Sequence, residues 1–127
     1  MIGNLYIEAS QVTPRVVMDK EAGKFLIAGR SLPENTEAAY SPLIEWLEKY
    51  EQDANPETVL EINLDYYNSS SLRKIADILL LLKRIEQNSN SRVSVRWFYE
   101  DGDETSIENA EDLSSAVDIP FSMVMYQ

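Results

Sequence analysis

The sequence predicts an α/β fold, a single mixed β-sheet flanked by helices in the order β-β-β-α-β-α-β-α-β. Three observations carry that prediction. Short apolar runs separated by turn residues fill the first 30 residues, as in an antiparallel meander. Two longer segments, one after Asn35 and one after Ser71, repeat apolar residues at helical spacing. Between and beyond them lie runs with a period of two, or rich in β-branched and aromatic residues. Strand, helix and strand over residues 59–99 then make a β-α-β unit, whose strands are expected parallel and whose crossover is expected right-handed.

Each element has its own signal. Leu5–Ala9 is a short apolar-rich strand that ends before Thr13-Pro14. Val16–Asp19 and Lys24–Ala28 pair through a turn in which Gly23 supplies a left-handed position. Ser31–Asn35 is loop chemistry, and Asn35 is placed to cap a helix running through Glu51. Ala39, Tyr40, Leu43, Leu47 and Tyr50 recur at helical spacing. Pro42 leaves two options there: a kinked helix, or a second segment capped by Ser41 with Pro42 in its first position. Val59–Tyr66 alternates, with Leu60, Ile62, Leu64 and Tyr66 on one side and Glu61, Asn63 and Asp65 on the other. Leu72–Glu86 is helical, and Asn88-Ser89-Asn90-Ser91 breaks it. Val93–Tyr99 is a strand, Glu100–Glu104 an acidic turn, Ile107–Val117 a short helix and Phe121–Tyr126 a last strand.

Composition bounds the function. A chain of 127 residues, 44% hydrophobic and 26% charged, fits one domain spanning residues 1–127. Eleven basic against 22 acidic residues give a net charge of −11, which argues against nucleic acid and against anionic membrane surfaces as partners. The absence of cysteine excludes disulfides, thiol catalysis and thiolate metal sites. The absence of histidine removes the commonest general base and transition-metal ligand. The opening MIGNLYIEAS lacks a basic segment followed by a long apolar run, and the longest apolar run, Ile78–Leu82, is too short to span a bilayer. No signal peptide is expected, and a cytoplasmic location is.

The stretch LDYYNSSSLRK, residues 64–74, is the most informative. A strand-like run stops at three serines and a helical pattern begins just beyond them. Asn68, Ser69, Ser70 or Ser71 can each cap that helix, because its first amides lack partners. One cap needs one residue, so the surplus hydroxyls invite a second reading, a site where charge is added and removed. Projected at about 100° per residue, Ile75, Ile78, Leu79, Leu82 and Ile85 form one stripe that packs on the sheet. Arg73, Asp77, Leu80 and Arg84 fall on the opposite face with Lys83 beside them, and Ser69 joins that face if the helix extends back to it. A phosphate there adds roughly −1.5 to −2 charges. The helix start favours the anion, and Arg73 stands one turn away.

The segments TPRVVMDKEAGKFLIAGRSLPEN, NLDYYNSSSLRKIADIL, VSVRWFYEDGDE and IPFSMV together resemble the SiaC-like regulatory phosphoproteins of bacteria, over nearly the whole chain. GRSLPEN, YNSSS and the Trp97–Tyr99 strand are the most specific parts. The resemblance implies a fold similar to STAS-type anti-sigma-factor antagonists and a protein that is not an enzyme and needs no cofactor. It implies a dedicated serine/threonine kinase, a PPM-type phosphatase, and an effector such as a diguanylate cyclase that promotes biofilm formation. In the family's best-known system the unmodified protein binds and activates the cyclase and the modified protein does not. The family's acceptor directly follows asparagine in an N-T-S-S-like motif, which carries onto Ser69 after Asn68, with serine in place of threonine and Ser70 as a competing acceptor. Asn68, Ser69, Arg73, Leu80 and Arg84 are then the expected docking residues. The alternative is a constitutive binding module of the same fold whose serines only cap the helix.

Other motifs carry less. In DGDETSIENAED, residues 101–112, Ser106 stands where a calcium loop needs glycine and Asp112 where it needs glutamate, so a solvated acidic turn feeding a helix N-terminus is expected. Trp97 and Tyr99 share a strand face and are expected in the core. Of Tyr66 and Tyr67, one ring is expected buried and the other exposed beside the docking surface. EAGKF has a lone glycine without phosphate-loop spacing.

Overall fold

The computed structural model describes residues 2–127. β1 (Leu5–Ile7), β2 (Arg15–Asp19) and β3 (Lys24–Ser31) form an antiparallel meander, and Gly23 turns the β2–β3 hairpin at φ 65°. After α1 (Thr36–Tyr50) and a 3-10 turn (Glu51–Asp53), β4 (Glu57–Tyr67) adds parallel to β3. Two further crossovers, through α2 (Ser69–Ser89) to β5 (Arg92–Glu100) and through α3 (Glu104–Val117) to β6 (Phe121–Tyr126), extend the parallel half. The sheet is six-stranded and mixed, with strands in chain order β1 to β6. The predicted sequence of elements is the observed one.

Successive parallel crossovers of one hand lay their helices on one side of a sheet, and a single core follows. It joins Tyr40, Leu43 and Leu47 of α1, Ile75, Ile78, Leu82 and Ile85 of α2, and Ala110 and Leu113 of α3 to every second residue of β2–β5. Among the described residues no helix lies on the opposite sheet face. It carries Lys24, Glu61 and Arg96, linked across three strands by contacts of 2.8 and 2.7 Å. The sheet is therefore covered on one side, rather than flanked on both. Stacked Trp46 and Tyr50 pack against Phe25 at one end of the core, and Trp97 stacks on Phe121 at the other.

Several boundaries differ from expectation for physical reasons. α1 runs unbroken through Pro42, because the stripe Tyr40, Leu43, Trp46, Leu47 and Tyr50 is buried on both sides of it. α2 starts three residues early under an Asn68 cap and ends late, at Asn90 with φ 56°, so Asn88 and Ser89 lie inside the helix. Asp103 caps α3 by accepting from the Ser106 amide at 3.0 Å, which starts the helix at Glu104 instead of the expected Ile107.

The largest difference is at the end of β4. Gly29, at φ 109°, pairs with Leu64 and Arg30 pairs with Tyr66, so Asp65 is an extra residue in the ladder. That bulge reverses the alternation beyond it. Tyr66 moves to the open face, exposed under the Arg30 guanidinium, and Tyr67 turns to the core, edge-on to Trp97 at 6.3 Å. The expected alignment of Tyr66 with Leu60, Ile62 and Leu64 is thus corrected, and the exposed ring lies on the sheet face away from the helices. Trp97 is buried and Tyr99 packs against the core, as their shared strand face requires.

Candidate functional site

Two segments meet at the carboxyl ends of the neighbouring parallel strands β3 and β4, where open α/β sheets build their sites. Residues 29–35 leave β3 and open α1; residues 67–71 leave β4 and open α2. Both helices begin with the same device. Asn35 Oδ1 accepts from the Ala38 amide at 3.1 Å, and Asn68 Oδ1 accepts from the Ser71 amide at 2.9 Å. The Asn68 amide in turn donates to the Ser31 carbonyl at 3.2 Å, tying the two segments together.

The three serines have three different surroundings. Ser71 is fully buried and belongs to a hydroxyl chain. Its Oγ donates to the Ser31 carbonyl at 2.8 Å and accepts from Ser31 Oγ at 2.7 Å. With the Ser31 proton so committed, Tyr40 OH donates to Ser31 Oγ at 2.5 Å. Burial pushes the Tyr40 hydroxyl pKa up, which keeps it a neutral donor. Ser70 is half-buried, held between Thr36 Oγ1 at 2.8 Å and Asn68 Oδ1 at 3.0 Å. Ser69 is exposed, and none of the side-chain hydrogen bonds at the junction involves its hydroxyl.

The outer face of α2 continues from Ser69. Ser69, Arg73, Asp77, Leu80 and Arg84 are all exposed, and Leu80 shows 55% of its surface to solvent. Arg73 forms no ion pair among the described residues. Arg84 is committed: its Nη2 and Nε contact Glu51 at 2.7 and 2.9 Å, clamping α2 to the end of α1. Those hydrogen bonds from Arg84 hold the Glu51 carboxyl below its ordinary value. Lys74 pairs with Glu37 of α1, and Lys83 is half-buried against Glu86 and Asp118.

Sequence reasoning missed Ser31, Thr36 and Tyr40, the residues that distinguish the serines from one another. Ser31 lies within GRSLPEN, but only the pairing of Ser31 with Tyr67 brings it to the serine junction. Among the described residues no cluster of acidic side chains is placed to hold a metal ion, and no helix is long and apolar enough to cross a membrane.

Fold and site together define a class of small α/β proteins in which two asparagine-capped helix starts frame a hydroxyl cluster at one end of a one-sided sheet. The chain belongs to the SiaC family: the model of the SiaC family regulatory phosphoproteins matches residues 7–126. An uncharacterized protein of Pseudomonas aeruginosa is 33% identical over 122 residues, 96% of each chain. Apo-SiaC from Pseudomonas aeruginosa is 32% identical with a TM-score of 0.84, the match covering 97% of this chain and 99% of that one. A chain in the crystal structure of the diguanylate cyclase SiaD in complex with its activator SiaC, from the same organism, is 33% identical. Its TM-score is 0.87 over 96% of this chain and 99% of that one.

Proposed function

We propose that this chain is a non-enzymatic phospho-switch. Ser69 accepts a phosphate from a cognate serine/threonine kinase and loses it to a PPM-type phosphatase. In the unmodified form the outer face of α2 docks an effector, by likeness to SiaC a diguanylate cyclase. Asn68 and Ser69 at the helix start, with Arg73, Leu80 and Arg84 along the face, make up the docking surface. The observation that carries this reading is the contrast within the serine triplet. Ser71 and Ser70 are held in hydrogen bonds to β3 and α1, whereas the Ser69 hydroxyl faces solvent.

The chemistry is local. A phosphate on Ser69 sits at the positive end of the α2 dipole with Arg73 one turn away, so the fold tolerates it. On the docking surface it adds roughly two negative charges beside an exposed leucine, which opposes burial of that surface. No movement of the backbone is needed. The reading in which the serines only cap α2 is disfavoured by Asn68, whose side chain already does the capping. Incubation with a cognate serine/threonine kinase, followed by phosphate-affinity electrophoresis, tests the acceptor. The wild type is expected to shift and Ser69→Ala not to; a shift retained by Ser69→Ala and lost by Ser70→Ala refutes the assignment.

A further inference from the structure

The two edges of the sheet are unlike. β1 is three residues long and is followed directly by Glu8. β6 is six residues, Phe-Ser-Met-Val-Met-Tyr; among the described residues it pairs only with β5, and its other side has no neighbour. Edge strands are ordinarily protected by charge, proline, bulges or brevity. β6 has none of these: residues 119–127 carry no charged side chain, in a chain whose net charge is −11. Its ladder with β5 is regular from Val95–Phe121 to Glu100–Tyr126.

The register fixes which groups are free. The Val95 amide donates to the Pro120 carbonyl at 3.0 Å and the Asp101 amide to the Tyr126 carbonyl at 2.7 Å. Backbone groups alternate sides along a strand, so the even-numbered residues of β6 bond to β5. The amides and carbonyls of Phe121, Met123 and Met125 point out of the sheet edge. The side chains of these same residues lie on the helix-covered face, with Phe121 stacked on Trp97 and Met123 and Met125 substantially exposed.

We propose that β6 is a self-association edge, at which two copies of this chain pair their β6 strands antiparallel about a two-fold axis through Met123. In that register Phe121 stands opposite Met125 of the second copy and Met123 opposite its own equivalent. Every outward amide and carbonyl finds a partner. The apposed side chains form an apolar ladder with methionine against an aromatic ring at each end. Isologous pairing requires such self-complementarity. Charge agrees with the same occupant: residues 119–127 place no charged side chain in the seam, so two acidic chains meet there without apposing like charges of β6 itself. Because α3 lies between α2 and this edge, pairing leaves both Ser69 hydroxyls accessible.

Sedimentation of the full chain from micromolar to millimolar concentration, at low and high salt, tests the pairing together with amide hydrogen exchange. The expected result is a dimer that strengthens with salt, as screening relieves the repulsion between like-charged chains. The amides of Phe121, Met123 and Met125 become protected as concentration rises. Met123→Pro removes an amide that β5 does not use, so it is expected to weaken the dimer at least about tenfold while the circular dichroism stays unchanged. Met125→Lys, which adds charge and leaves the backbone intact, is expected to do the same. A monomer under all these conditions overturns the proposal, as does a dimer indifferent to both substitutions. Protection of these amides only on addition of a different protein also overturns it, and assigns the edge to that protein.

Discussion

The two faces of α2 are built from one continuous helix and obey different rules. The inner face, Ser71, Ile75, Ile78, Leu79, Leu82 and Ile85, is sealed against the sheet, and its one hydroxyl is satisfied by Ser31. The outer face, Ser69, Arg73, Asp77, Leu80 and Arg84, is open to solvent. A single residue separates Ser69 from Ser71, yet one side chain is exposed and the other is a strut of the core. Identical side chains thus take opposite roles according to which way a 100° helical step turns them.

Substitutions sharpen that contrast. The largest effect is expected at Ile78, where truncation to alanine leaves a cavity in the core and lowers stability by about 2–5 kcal/mol in chemical denaturation. Leu80→Ala on the outer face is expected to change stability by no more than about 0.5 kcal/mol and to show its effect in effector binding instead. Next comes Ser71→Ala. It leaves the Ser31 hydroxyl without its acceptor in a buried site and is expected to lower stability by about 1–3 kcal/mol, measured the same way.

A smaller effect, confined to acid, is expected of Glu51→Gln. Arg84 holds the Glu51 carboxyl below its unfolded value of 4.5, so the pair's contribution is fully present above that pH. It is lost as pH falls through the lower, folded-state value. Urea midpoints measured from neutral pH down to pH of about 3 are expected to fall less steeply in Glu51→Gln than in the wild type.

Much of this was legible in the residues, and the exceptions have reasons. The α2 stripe follows from its spacing alone, because a period near 3.6 leaves little freedom over about three turns. The helix-start motif YNSSS marks the junction, and the resemblance it carries led to the family. The bulge at Asp65 was not legible, since an extra residue in a ladder depends on how β4 meets β3 at Gly29 and leaves the local pattern of apolar residues unchanged. It exchanged Tyr66 and Tyr67. The ranking of the serines was hidden for a similar reason. It rests on Ser31 and Thr36, which lie 40 and 34 residues from their partners Ser71 and Ser70 and reach them through the sheet and the α1 start, and on Tyr40, which bonds Ser31. The helical spacing places Arg84 on the outer face among the docking residues, but its clamp on Glu51 is likewise a contact between distant segments.

The most direct measurement titrates a diguanylate cyclase, the effector proposed above, against two preparations of the chain, one unmodified and one stoichiometrically phosphorylated on Ser69. If charge on the outer face governs docking, the phosphorylated chain binds at least about tenfold more weakly, roughly 1.4 kcal/mol, with its melting temperature unchanged. Equal affinity of the two forms, or a loss of binding that tracks a loss of folded structure, contradicts the account.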